Sequence, residues 1–507
     1  MDSMGSEALH EERRAAGVLL HPVSLPSSHG IGDLGAAAQR WLEWLADTGC
    51  SMWQMLPLGP PGYSESPYQS YSSFAGNPML ISLDDLIEDG LLDDDDLGAI
   101  PDFPADRVVY ADVMSFKYSV LALAAERFFQ GVEPQLMQEF EIYLNENRGW
   151  LADFALFMAL KEVNGGLPWT AWESDLTTRQ PEAIKRATRE FSSEIKKYQF
   201  HQFIFYRQWR RIRRSAYEMG VRLIGDIPIY VAHDSVDVWL RPDLFQLDES
   251  GMPTYVAGVP PDYFSPSGQR WGNPLYRWER VHEENFDWWV RRFRAVLNRV
   301  DLVRFDHFLG LDRYWQIPVE NQTAEQGIWQ PAPGVDLLNT LQEALGGLPI
   351  IVEDLGLVTS EVEEMRDQFG LPGMKILQFA FGSGSENKSL PHHYPTNCVA
   401  YTGTHDNETS RGWYENASES IRDHFRRYTG SDGSQAAWDM IRCIWESRAD
   451  RALAPMQDLL DLNNEARMNV PGTSEGNWSW RMQEFHLSQQ LADRMRALNE
   501  TTNRLRK

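Results

Sequence analysis

The 507-residue chain holds only three cysteines, Cys50, Cys398 and Cys443. They are too few and too scattered for a disulfide framework or a cysteine-based zinc site, and they read as reduced thiols of a cytoplasmic protein. No apolar run approaches the ~18 residues that a membrane-spanning helix needs. Residues 1–16 are polar and of mixed charge, without the apolar segment of a secretory signal. The expectation is a polar N-terminal extension over 1–16, then a single domain over 17–507. Positive charge is scarce: 47 Lys and Arg stand against 73 Asp and Glu, a net charge of −26. Such a chain lacks the basic footprint that nucleic acid requires, and an anionic membrane surface repels it. The sequence shows no H-E-x-x-H and no tight grouping of His and acids, so no metal is expected. No dedicated cofactor is expected either. Repeats and long low-complexity tracts are missing. The nearest approach is the run Asp93-Asp-Asp-Asp96, read as a solvated loop or helix start.

What is present is an ordinary globular balance, 42% apolar and 24% charged, which excludes wholesale disorder. Trp is abundant at 19 residues. It is usually a core residue, but it also stacks on the apolar face of a sugar ring. Short apolar segments alternate with helical ones. Residues 17–24, 52–58, 221–231, 300–308, 348–354, 374–381 and 398–404 read as strands, with Asn469-Val-Pro-Gly closing an eighth. Strands separated by helices pair in parallel. Eight of them over this length predict a (β/α)8 barrel. Residues from about 84 to 210 contain no good strand and read as a mainly helical insertion after the second strand. Within it, Phe203, Tyr206 and Trp209 share one helix face. Arg207, Arg210, Arg211 and Arg214 mark the other, either a solvated face or an anion patch. No run of alternating short strands trails the barrel, so no C-terminal β domain is expected.

Gly30-Ile-Gly-Asp-Leu-Gly35 matches the dinucleotide pattern G-x-G-x-x-G. However, it lies too far from its strand for the tight turn that pattern needs, and no acid follows the second strand to hold a ribose. A glycine-rich loop at the barrel mouth is the better reading. The informative residues stand at strand ends, where a barrel carries its chemistry. In Asp301-Leu-Val-Arg-Phe-Asp-His-Phe308, alternation puts Arg304 and Asp306 on one face. Arg304 would hold Asp306 ionised, which suits a nucleophile, although a structural ion pair has the same appearance. In Ile350-Ile-Val-Glu-Asp354, two acids end an apolar strand and point opposite ways, so one faces the pocket. A half-desolvated Glu353 there suits a general acid, whereas Asp354 could simply cap a helix. Tyr401-Thr-Gly-Thr-His-Asp-Asn407 puts His405 and Asp406 past another strand. A Ser/His/Asp triad is disfavoured because no G-x-S-x-G elbow exists. Three strand-end acids in series are what glycoside chemistry uses: one attacks, one protonates the leaving oxygen, one steadies the charge.

These motifs carry a resemblance. His21-Pro-Val-Ser-Leu-Pro-Ser, Gln54-Met-Leu-Pro-Leu-Gly-Pro, Ser66-Pro-Tyr-Gln-Ser70, Gly225-Asp-Ile-Pro-Ile and Gly258-Val-Pro-Pro-Asp-Tyr-Phe264 with Gly268-Gln-Arg-Trp-Gly-Asn-Pro274 are similar to the 4-α-glucanotransferases of glycoside hydrolase family 77 in the α-amylase clan. The similarity covers roughly residues 17–485. It implies that Asp306 is the nucleophile, Glu353 the acid and then the base, and Asp406 the stabiliser of the transition state. It implies that Asp226, Arg304 and His405 hold the central sugar, that Tyr68, Trp271 and Asn469 line the groove, and that Tyr63 stacks glucan at a secondary position. It implies a lid over 258–274 with Tyr263, Phe264 and Trp271. The substrates it implies are maltooligosaccharides, 1,4-α-glucans from starch or glycogen, and glucose as acceptor. A hydrolase of the same clan is the alternative.

Overall fold

The computed structural model describes residues 14–131, 134–261 and 265–506. Strands β1 (Ala15–Leu19), β2 (Met52–Gln54), β3 (Arg222–Pro228), β4 (Tyr255–Val259), β5 (Gln269–Pro274), β6 (Leu302–Asp306), β7 (Arg313–Pro318), β8 (Ile328–Pro331), β9 (Ile350–Val352), β10 (Gly373–Ile376), β11 (Cys398–Tyr401) and β12 (Arg451–Pro455) follow in chain order. β1, β2, β3, β6, β9, β10, β11 and β12 pair in parallel and close into a barrel, with β12 returning to β1 through Ala15↔Arg451 to Leu19↔Pro455. This is the predicted (β/α)8 barrel.

Period-2 alternation divides each barrel strand between two environments. One set points outward against the helices, such as Val18, Trp53, Leu223, Val303, Phe305 and Val352. The other set, Ala15, Met52, Ile224, Leu302, Ile351, Met374, Val399, Tyr401 and Leu453, fills the barrel interior. Two residues further along the inward set the chemistry changes from apolar to polar. Met52 is followed by Gln54, Ile224 by Asp226, and Leu302 by Arg304 and Asp306. The base of the barrel is thus a packed plug and its C-terminal end a polar floor.

The eighth barrel strand is β12, not the segment at Asn469, which lies in a loop beyond it. Arg451-Ala-Leu-Ala-Pro has no β-branched residue and a charge at one end, so its local signal is helical; pairing with both β1 and β11 overrides it. β1 begins at Ala15, inside the stretch read as the N-terminal extension. The remainder of that stretch, residues 1–13, lies outside the described residues.

Between β2 and β3 the chain forms helices that include Tyr110–Gly131, Pro134–Glu146, Leu151–Val163 and Ser192–Glu218. The arginine face of the last helix is tied to acids of neighbouring segments. Arg207 meets Asp89 and Glu139, Arg210 meets Glu146, and Arg211 meets Asp85. Buried Lys117 fastens this subdomain to the barrel's loops by donating to the carbonyls of Met79 and Ile81, each at 2.7 Å.

A second sheet stands beside the barrel that no sequence pattern announced. β4, β5, β7 and β8 form a four-stranded antiparallel sheet, order β5-β4-β7-β8, between β3 and β9 in the chain. Of the segment 258–274 expected as a lid, residues 258–259 end β4 and residues 269–274 form β5, while 262–264 lie outside the described residues.

The three glycines of the G-x-G-x-x-G motif serve packing. Gly30 has φ +78°, a Cβ on Gly32 would strike the carbonyl oxygen of Pro22, and one on Gly35 would strike Ser82. At the opposite end of the barrel, Arg504 is fully buried and donates to the carbonyls of Ala15, Trp445 and Ala449, with Arg14 donating to Trp445, Ser447 and Thr502. These two arginines bolt the seam between β1 and β12. Among the described residues no helix is long and apolar enough to cross a membrane.

Candidate active site

The polar floor begins with Arg304. Its guanidinium is 2% exposed, and Nη1 donates both to Asp226 Oδ2 on β3 at 2.7 Å and to Asp306 Oδ1 at the end of β6 at 2.9 Å. A buried carboxylate is costly unless paired, and the shared cation supplies the partner for both. Tyr68, delivered by the loop after β2, donates its hydroxyl to Asp226 Oδ2 at 3.0 Å. Its oxygen lies 2.9 Å from His405 Nε2, and because its own proton goes to Asp226, the imidazole must be the donor there. The two rings stack with centroids 5.4 Å apart. His405 Nε2 also stands 3.3 Å from Asp406 Oδ2, and Asp406 Oδ1 accepts from Asn469 Nδ2 at 2.6 Å. Asp306, Arg304, Asp226, Tyr68 and His405 therefore form one hydrogen-bonded chain, and the hydrogen-bonded pair Asp406–Asn469 meets its end at the 3.3 Å His405–Asp406 contact.

Glu353 comes from β9, one residue past its last strand position. Its backbone is locked on both sides, N–H to Phe305 O at 3.0 Å and its carbonyl accepting from Phe308 at 3.1 Å. Its Oε2 accepts the N–H of His307 at 2.6 Å. His307 has φ 53°, the left-handed region, which turns that N–H back toward Glu353. Asp354 turns the other way, accepting from Arg366 at 2.6 Å and from the Met374 N–H at 2.7 Å. Burial pushes Glu353 up to about 8, with Arg304 pulling against that shift and Asp306 adding to it. Burial raises Asp226 as well, opposed by the Arg304 and Tyr68 contacts. Burial keeps His405 and His307 neutral, His307 being pushed down to about 4.

Trp271, on β5, reaches the site through His307, whose ring meets its edge at a centroid distance of 4.9 Å. Tyr63 starts a 3-10 turn, Tyr63–Glu65; its side chain, like Tyr263 and Phe264, lies outside the described residues. Sequence reasoning missed three neighbours of this constellation. His21, at the mouth of β1, is buried and pushed down to about 3 by burial and by His405. His307 was visible as the residue after Asp306. Arg467 stands two positions before Asn469, and an Arg-x-Asn spacing on a loop gives no signal by itself. Among the described residues no cluster of three His, Cys, Asp or Glu could hold a metal ion.

The two axial acids have opposite environments. Asp306 is 26% exposed and held by a cation, whereas Glu353 is a carboxylic acid that keeps its proton at neutral pH. Such a divergent pair can carry nucleophilic attack and proton donation side by side. A parallel eight-stranded barrel with this pair and a third acid at its strand ends defines an enzyme of the glycosidic-bond-cleaving class.

The relatives narrow the class. A family profile described as 4-alpha-glucanotransferase, glycoside hydrolase family 77, matches residues 20–488. The 4-alpha-glucanotransferase of Thermus thermophilus is 46% identical over 500 residues, 97% of this chain and 99% of that protein. The chloroplastic/amyloplastic one of Arabidopsis thaliana is 40% identical over 98% of this chain and 86% of its own length. The amylomaltase of Streptococcus agalactiae, solved in complex with acarbose, has a TM-score of 0.94 at 38% identity, over 97% of this chain and 99% of that one. The chain belongs to the 4-alpha-glucanotransferases of glycoside hydrolase family 77.

Proposed function

We propose that the protein moves a segment of a 1,4-α-D-glucan to the 4-hydroxyl of an acceptor glucose or glucan by double displacement. Asp306 attacks the anomeric carbon while Glu353 gives its proton to the departing glycosidic oxygen. The donor's reducing-end portion leaves, and a β-glucosyl ester on Asp306 remains. The acceptor 4-hydroxyl then attacks the same carbon, Glu353 takes its proton, and Asp306 departs as a carboxylate. Two inversions give net retention of the α-anomer. Asp406 faces the positive charge that develops between these steps. Asp226, Arg304 and His405 hold the central sugar, Tyr68, Trp271 and Asn469 line the groove, and Tyr63 takes a secondary glucan contact. The observation that carries this reading is the hydrogen-bonded chain from Asp306 to His405, with the Asp406–Asn469 pair against its end and Glu353, raised to about 8 by burial, in the same cleft.

Transfer over hydrolysis is assigned to the lid expected over 258–274, whose Trp271 excludes water and seats the acceptor. The whole of 17–507 serves as one catalytic unit. Free Cys50, Cys398 and Cys443 support a reducing, cytoplasmic setting. Purified protein incubated with maltotriose alone should yield a ladder of longer maltooligosaccharides and glucose, with little gain in reducing ends. Maltose and glucose with a matching rise in reducing ends, and no longer chains, would make it a hydrolase instead.

A further inference from the structure

Asp406 is the least sheltered acid of the site, its side chain 40% exposed on a loop beyond β11. Its carboxylate is aimed by Asn469, which belongs to a different loop, beyond β12. A catalytic carboxylate needs its position fixed to a fraction of an ångström, so something must keep these two loops in register. One backbone bond supplies part of that: Asn469 N–H donates to His405 O at 3.1 Å. Asp458, accepting from Thr402 and Ser410, and Asn464, bonded to Glu408 and Thr409, tie the two loops further back, and one more side chain joins them beside the carboxylate. Arg467 Nη2 donates to the carbonyl of Asp406 at 2.6 Å, and its Nε donates to the carbonyl of Asn469 at 2.8 Å.

We propose that Arg467 is a positioning residue for Asp406, a planar fork that staples the Asp406 and Asn469 loops so that the Asn469 amide holds the carboxylate in the cleft. This rests on the role given to Asp406 above. The guanidinium touches carbonyl oxygens and not the Asp406 carboxylate, so it acts on geometry. Its charge faces Glu408 and Asp406, and no other guanidinium bonds either carbonyl among the described residues. Two donors at a fixed spacing are needed, and a lysine ammonium on a flexible stem cannot reproduce them. Arg467 bonds two backbone carbonyls and takes no sugar contact in this reading, so it should influence the barrier more than ground-state binding.

The test is maltotriose disproportionation by purified Arg467→Ala, Arg467→Lys, Asn469→Ala, the double variant and Asp406→Asn, with melting curves for each. Arg467→Ala is expected to lower kcat about 10- to 100-fold with KM within about threefold, as for a displaced catalytic group. Arg467→Lys should recover only a small part of the loss. Guanidinium ion at tens of millimolar should restore activity to Arg467→Ala where equal urea does not. The double variant should be no slower than the worse single variant, because both act on Asp406. Wild-type kcat in a folded Arg467→Ala, or in Arg467→Lys should the alanine variant not fold, would overturn the inference. So would losses that multiply in the double variant. Full transfer activity in Asp406→Asn would instead overturn the role of Asp406 itself, a separate and recognisable failure.

Discussion

Glu353 and Asp306 lie in one cleft yet meet opposite electrostatics, and the pH behaviour of the enzyme should follow from that. Glu353 must carry its proton to release the leaving sugar, and burial holds its pKa near 8. We expect kcat/KM to fall above about pH 8, approaching tenfold per unit, as that proton is lost. Glu353→Gln should lose about 10²–10⁴ in rate and show no such limb, read from an initial-rate pH profile. The same acid weakens the fold. Its folded pKa lies above the ordinary value of 4.5, so the folded state binds the extra proton between pH 4.5 and 8, and stability declines as pH rises through that window. Glu353→Gln should therefore melt higher than the parent at pH 8, with the difference vanishing near pH 4.5; an unchanged gap across the range would contradict the assignment.

At the scale of elements, the β4–β5 hairpin projects Trp271 against His307, whose N–H holds Glu353. Trp271→Ala should raise the share of donor lost to water, measured as reducing ends gained per glucose released, by about tenfold, the order expected when a water-excluding, acceptor-stacking ring is removed. If that ratio stays at the parent's value, the hairpin does not govern partition. Elements also decide what the sequence could and could not reveal. Seven barrel strands were legible because apolar runs such as Ile350-Ile-Val stop abruptly at charged residues, and the barrel's buried interior permits no such charge deeper down. Period 2 alone placed Arg304 with Asp306 and separated Glu353 from Asp354. Strand β12 was illegible because its alanines carry no β signal and its place comes from pairing with Val399 of β11 and Ala15 of β1, both far off in the chain. The small sheet escaped because its strands are short, half exposed and interrupted, as in Ile328-Trp-Gln-Pro and Gln269-Arg-Trp-Gly. The chain from Tyr68 to Asn469 could be matched residue by residue to a family, but its hydrogen bonds depend on loops whose course no local pattern encodes. Arg467 shows the limit, since its role lies wholly in two carbonyls of other residues.

For the molecule as a whole, the net charge of −26 sets a self-repulsion that counterions relieve. Melting temperature should rise as sodium chloride goes from about 0.01 to about 0.3 M, over which the Debye length falls from ~30 Å to well below 10 Å. A fall across the same range would mean that the surface ion pairs dominate. The barrel seam is the second global feature. Arg504→Ala leaves the carbonyl of Ala449 without a donor in a dry site and strips one of two bonds from Ala15, which keeps its ladder pairing with β12, and should cost about 2 kcal/mol, read by urea unfolding. Arg504→Lys should rescue little, because one ammonium cannot serve carbonyls arranged around a guanidinium plane.

That seam joins the first barrel strand to the last, roughly 430 residues onward, and a ribosome adds only about 5–20 residues per second. For roughly 20–90 s of synthesis β1 has β2 on one side and an open edge on the other. Unpaired edges recruit foreign strands, so the nascent chain is most exposed to misassembly or chaperone capture in the interval before Arg451–Pro455 emerges. The barrel becomes a barrel only once Arg451–Pro455 has been made.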